Sequence, residues 1–189
     1  RWRSERWDSL VANGPAWHDR FPSLKFDNIS QEAFPPKERM AQYFEDYVKM
    51  LKAPVRTGVE VHQVERLKGR SGFKVVTSAG EFEADNVVAA TGPFQKPSFP
   101  QIVPESAGVQ QIHSSVYKNP QQLPAGGVMV VGAGASGTQI AEELRKAGRE
   151  VYLSVGEHYR PPRAYRNRDY CWWLGALGLW DEVKIKPKK

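Results

Sequence analysis

Gly132, Gly134 and Gly137 stand at the spacing Gly-x-Gly-x-x-Gly, with Ala133, Ala135 and Ser136 between them. Each glycine has a separate use. The first permits a tight turn, the second lets backbone approach a diphosphate, and the third lets a helix pack closely on a strand. A helix beginning there would turn its bare N–H groups and positive end toward the phosphates. The spacing alone is weak, since an ordinary α/β protein can also carry a glycine turn, so the flanking elements have to decide. Before the turn come Val128, Met129, Val130 and Val131, read as a strand buried on both faces. After it, Ile140, Leu144 and Ala147 share one face of a predicted helix over residues 135–147. Glu142 and Lys146 stand at the i,i+4 spacing of an ion pair, and Gly148 suits the position just past a helix end. Residues 151–155 are the next strand, closing a βαβ unit.

The second strand speaks to which dinucleotide would fit. An acid about 20 residues beyond the first glycine would bind a ribose 2′-hydroxyl. The strand instead ends Leu153-Ser154-Val155-Gly156, with Glu157 beyond it and Arg160, Arg163 and Arg166 following. A hydroxyl with guanidinium groups suits a 2′-phosphate, because arginine meets phosphate oxygens as a two-pronged fork. The expectation is NADPH, bound through Gly132, Gly134, Ala135, Ser136, Gly137, Ser154, Arg160 and Arg163. A nucleic-acid patch is the competing reading of these arginines, but no recognised nucleic-acid fold accompanies them.

The rest of the 189-residue chain must position this unit. Residues 1–35 read as short helical pieces and loops. Met40, Phe44, Tyr47, Val48 and Leu51 recur at helical spacing, with Pro35 and Pro36 before them and Pro54 after, so a helix is predicted over residues 37–51. Runs at 55–57, 59–67, 73–77 and 81–84, divided by glycine-rich turns, predict an antiparallel meander. Residues 86–90, Asn-Val-Val-Ala-Ala, predict a strand buried on both faces, ended by Thr91, Gly92 and Pro93. Residues 93–127 hold six prolines and read as a linker. Trp172, Trp173 and Trp180 read as the buried face of a helix, with a substrate or partner face as the alternative, and Cys171 as an inert core thiol.

Composition narrows the class. The charge balance is 27 − 21 = +6. Six Trp and seven Tyr argue against disorder. The longest apolar stretch, residues 171–180, is far short of the roughly 18 residues a membrane helix needs. One cysteine rules out an intrachain disulfide or a paired redox thiol and fits a reducing, cytoplasmic setting. His18, His62, His113 and His158 lack metal-ligand spacing, so no metal is expected.

Taken together these residues resemble the flavin-containing monooxygenase superfamily, which includes the plant YUCCA-type enzymes and the Baeyer–Villiger monooxygenases. The resemblance rests on Trp2 with Arg6-Trp7-Asp8-Ser9-Leu10, on Phe34-Pro35-Pro36, and on Ala89-Ala90-Thr91-Gly92 with Pro97 and Pro100. Ile112-His113-Ser114-Ser115-Val116-Tyr117, the glycine turn and Tyr159-Arg160-Pro161-Pro162-Arg163 complete it. It implies an α/β, Rossmann-like flavoprotein binding two dinucleotides, FAD and NADPH. Residues 1–120 would be a partial FAD-binding domain with its meander, and residues 121–189 the beginning of the NADP-binding domain. The family carries two glycine motifs and this chain one, so the chain is expected to be an internal piece of a longer protein and to purify colourless.

The implied reaction is oxygenation. NADPH reduces the flavin, the flavin adds O2 as a C4a-peroxide, and one oxygen atom passes to a small organic substrate. Asn13 matches an asparagine beside the flavin–nicotinamide junction, its alternative being a turn residue before Gly14. Thr91 and Gly92 would approach the flavin or the interdomain backbone. His113 is a hinge or nicotinamide-side residue, or else a surface histidine. Two other functions are weighed: a regulatory module that binds NADPH without turnover, and a disulfide reductase, which needs a cysteine pair that one cysteine does not supply.

Overall fold

The computed structural model describes residues 2–92, 96–157 and 161–180. The chain divides into two compact units, one made of Arg1–Tyr47 with Glu105–Lys189 and the other of Val48–Pro104.

The first unit contains the glycine turn. Strand β4 (Val128–Val131) pairs in parallel with β5 (Val151–Ser154), and helix α2 (Ala135–Lys146) connects them. The helix forms where its period predicted and buries Ile140, Ala141 and Leu144. Ala147, predicted on the same face, is exposed; it is the C-cap, where the chain already leaves the helix. Gly148 follows with φ +81°, the left-handed conformation that ends many helices. Glu142 and Lys146 pair at 2.7 Å.

Side chains from distant segments meet over the inner face of α2. Trp7, Leu10, Tyr117, Ile140 and Leu144 form one core, with Val128, Val130 and Val151 packed against it. Residues 93–127 are therefore more than a linker, since they supply Tyr117. Its hydroxyl donates to Glu143 Oε2 at 2.7 Å, and burial with that bond holds its pKa far above the tyrosine range. Arg149 fixes the approach to β4 by donating to the carbonyls of Leu123, Pro124 and Gly126.

A second core joins Ala12, Ala16, Phe26, Met40 and Tyr43. Helix α1 (Lys37–Leu51) supplies Met40 and Tyr43 and has the predicted bounds. Residues 2–35 contain turns rather than the expected helical pieces. Their backbone is satisfied by cross-chain bonds: Ala12 N–H donates to Pro35 O at 2.8 Å and Lys37 N–H to Leu10 O at 2.9 Å. Late in the unit, β6 (Ala164–Tyr165) and β7 (Arg168–Asp169) form a hairpin. Its two turn residues, Arg166 and Asn167, have φ of 48° and 56°, as the tight primed hairpin turns require. Asp169 caps α3 (Tyr170–Ala176) by accepting the Cys171 N–H at 2.8 Å.

The second unit holds the predicted meander: β1 (Val61–Arg66), β2 (Phe73–Thr77) and β3 (Gly80–Ala84), antiparallel in that order.

Several expectations need correction. Residues 55–57 and 86–90 are irregular backbone, and Val88 is 86% exposed. An unbroken apolar run becomes a buried strand only where neighbouring strands pair with it, and among the described residues β1, β2 and β3 pair with one another and not with 86–90. Strand β4 does form, but it is not buried on both faces. Val128 and Val130 face the core, while Met129 is 67% exposed, because α2 covers one side of a two-stranded sheet. Trp172 and Trp180 are exposed and Trp173 is half-buried; Cys171 is the buried residue of α3, which ends before Trp180.

Candidate functional site

Strand β4 delivers the chain to Gly132, whose φ of +100° reverses it sharply. The Gly132 N–H donates to Ser154 O at 3.0 Å, so the end of β5 lies beside the turn. Helix α2 then starts at Ala135 with Gly134 as its N-cap, in extended geometry (φ −70°, ψ −179°) and with no side chain to cap the first turn. An unblocked helix start concentrates partial positive charge on its leading N–H groups, here those of Ala135, Ser136 and Gly137. A Cβ built at Gly134 meets nothing within 4 Å. At Gly137 a Cβ would lie 1.9 Å from Gly132 O. The three glycines thus have three different causes: a positive φ, an open approach and a close crossing. The arrangement is an open cradle able to take an anionic group such as a diphosphate.

Ser154 is exposed at the end of β5, and Arg160 lies outside the described residues. Arg163 is already engaged. Its Nε donates to Asp169 Oδ2 at 2.8 Å and its guanidinium lies 4.5 Å from the centre of the Phe34 ring. The sequence reading missed both partners.

Asn13 lies in the same unit as the turn and is held to α2. Gln139, in the second turn of that helix, donates through Nε2 to Asn13 Oδ1 at 3.3 Å and to Val11 O at 3.2 Å, and it accepts the Val11 N–H at 3.3 Å. The structure therefore brings Asn13 to the helix that follows the glycine turn, through a residue the sequence analysis did not single out. The next residue is fixed too, because Gly14 N–H donates to Asp19 Oδ2 at 3.0 Å.

His113, half-buried, folds back on its own loop, with Nδ1 accepting the Ser115 N–H at 3.1 Å. Its proton in the neutral form is therefore on Nε2. Thr91 and Gly92 belong to the other unit; both are exposed and Gly92 has φ +73°. Cys171 is buried, and its thiol is pushed up to about 11 by burial and by the Asp169 carboxylate. No group of three or more His, Cys, Asp or Glu able to hold a metal occurs among the described residues. Nor is any helix among them long and apolar enough to cross a membrane.

Comparison with known proteins gives the family and the fold. A family model described as pyridine nucleotide-disulphide oxidoreductase matches residues 17–174. An oxidoreductase termed CzcO-like, from Geobacillus kaustophilus, is 42% identical over 180 residues, covering 94% of this chain and 50% of its own length. The flavin-containing monooxygenase iboF of Amanita muscaria is 38% identical over 109 residues, 54% of this chain and 20% of that protein. Among solved structures, a flavin-containing monooxygenase from Stenotrophomonas maltophilia superimposes with a TM-score of 0.73 at 23% identity, over 98% of this chain and 53% of the other. The fold is thus the Rossmann-like fold of the two-dinucleotide flavoproteins. The chain spans about half the length of the CzcO-like relative.

Proposed function

The chain belongs to the pyridine nucleotide-disulphide oxidoreductase family, and from that premise we propose that it is part of an FAD- and NADPH-dependent monooxygenase. The reaction would place one oxygen atom of O2 on a small organic substrate, in a reducing, cytoplasmic setting and without nucleic acid as a partner. The observation that carries the proposal is the uncapped, unfilled start of α2 at Gly134, beside the end of β5. The family and fold imply both cofactors. Residues 1–120 are assigned to the FAD-binding part and residues 121–189 to the NADP-binding part.

When bound, the cofactors supply hydride transfer and oxygen activation; the protein supplies position, charge and exclusion of water. The N–H groups of Ala135, Ser136 and Gly137 would hold the diphosphate, with Gly132 shaping the turn and Gly134 leaving room. Ser154 and Arg160 would take the 2′-phosphate, with Arg163 shared between it and Asp169. Thr91 and Gly92 are assigned to the flavin side or the interdomain backbone, and His113 to the nicotinamide side. Asn13 would offer its amide N–H to the reacting region.

The residues of this chain do not themselves supply disulfide chemistry. Thiol–disulfide exchange needs an accessible thiolate and a second sulfur. Cys171 is the chain's single cysteine, is buried, and stays protonated at neutral pH. The relative iboF, a flavin-containing monooxygenase by name, supports the oxygenase branch.

Calorimetric titration of the chain with NADPH and with NADH tests the nucleotide assignment. NADPH is expected to bind about tenfold tighter or better, the roughly 1.5–3 kcal/mol of a hydrogen bond to a charged group. Equal affinities would remove the 2′-phosphate site, and binding of neither would remove the nucleotide site.

A further inference from the structure

The polarity of the backbone fixes the orientation of two side-chain amides in succession. Val11 N–H can only donate, so the Gln139 atom facing it at 3.3 Å is the carbonyl Oε1. Val11 O can only accept, so the atom facing it at 3.2 Å is Nε2. Gln139 is thus locked in one orientation by two groups that cannot exchange roles. Its Nε2 also meets Asn13 at 3.3 Å, and only an acceptor can face that nitrogen. The Asn13 amide therefore turns Oδ1 inward to the helix and leaves its NH2 as the outer end of an exposed side chain. Val11 cannot drift to relax the arrangement. The residues on either side are bonded to the entry of α1, Ala12 N–H to Pro35 O and Lys37 N–H to Leu10 O.

We propose that Gln139 is a positioning residue that makes Asn13 a hydrogen-bond donor toward the bound nucleotide and ties it to the helix whose first turn cradles the diphosphate. The inference rests on the nucleotide reading of that turn. Gln139 does not touch the ligand in this account; it acts through Asn13. Its contribution to binding should therefore vanish once Asn13 has no amide to orient.

The test is a double-mutant cycle on NADPH affinity, measured by calorimetry on the wild-type chain, Gln139→Leu, Asn13→Ala and the double variant. Each single variant is expected to weaken binding by about fivefold, the worth of one ordinary hydrogen bond. The double variant is expected to be no weaker than Asn13→Ala alone. Additive losses, or unchanged affinity in Gln139→Leu, would overturn the proposal. Amide hydrogen exchange at Val11, without nucleotide, tests the lock separately. Protection should fall in Gln139→Leu, which offers Val11 N–H no acceptor and Val11 O no donor. Equal protection in wild type and Gln139→Leu would overturn the lock itself. If the wild-type chain binds no NADPH, the nucleotide reading and the donor role fail together, while the exchange result still decides whether the lock exists.

Discussion

Gly137→Ala should destabilise the nucleotide-binding unit by about 3 kcal/mol, the upper part of the range for forcing extra atoms into a filled site. The added Cβ would stand 1.9 Å from Gly132 O and 3.1 Å from Gly132 C. Both are backbone atoms at the end of β4, so no rotamer change relieves the clash. Either α2 slides away from the strand or the turn opens. The first loosens Ile140 and Leu144 in the core, and the second breaks the bond from Gly132 N–H to Ser154 O. Urea denaturation of the wild type and the variant measures the loss. Wild-type stability in Gly137→Ala would mean that helix and strand do not cross this closely.

Leu144→Ala is expected to cost about 3–4 kcal/mol, since a buried leucine leaves a cavity whose walls relax only partly. Leu144 is fully buried and belongs to the core that joins α2 to Trp7 and Tyr117. That loss is a large part of the roughly 5–15 kcal/mol of a typical domain. The same truncation at Leu153, which shares the face of Val151 but lies toward the end of β5 and is 39% exposed, should cost less. Denaturation midpoints of the two variants check this, with an unchanged slope showing that stability alone has moved. A Leu144→Ala loss no larger than that of Leu153→Ala would contradict the assigned core.

Local period and turn chemistry made the βαβ unit, α1 and the meander legible before any coordinates. Each is set by neighbours within a few residues: the apolar face of α1, the glycines around β2, the alternation of turn and helix at 132–148. What the sequence could not convey was covering. Residues 86–90 and Met129 have the composition of a buried strand, but composition records only a preference for burial, not which layer provides it. The turns of residues 2–35 are held by bonds to Pro35, Ala33 and Lys118, partners that no local period announces.

The candidate site divides in the same way. The glycine spacing announced the cradle because each glycine answers a local steric demand. The bond from Gln139 to Asn13 joins positions 126 residues apart, and no signal in a single sequence marks it. The sequence assigns Arg163 to a 2′-phosphate from its neighbours along the chain. The structure gives it Asp169 across a hairpin and Phe34 from the segment that leads into α1. The first partner could have been found by recognising Arg166-Asn167 as a hairpin turn, which sets Ala164 opposite Asp169.

The central claim is that the bare start of α2 is open because a diphosphate belongs there, and Gly134→Ser tests it most directly. Serine fits the extended backbone at this position, and its Cβ meets nothing. Its hydroxyl would cap the first-turn N–H groups and occupy the place assigned to phosphate. Thermal unfolding and NADPH calorimetry on the same samples separate folding from binding. The variant should keep wild-type stability or gain a few tenths of a kcal/mol as serine replaces glycine at the cap. NADPH affinity should fall by about tenfold or more as the phosphate loses N–H donors. A stable Gly134→Ser chain that binds NADPH as tightly as wild type would show that the diphosphate does not sit on this helix.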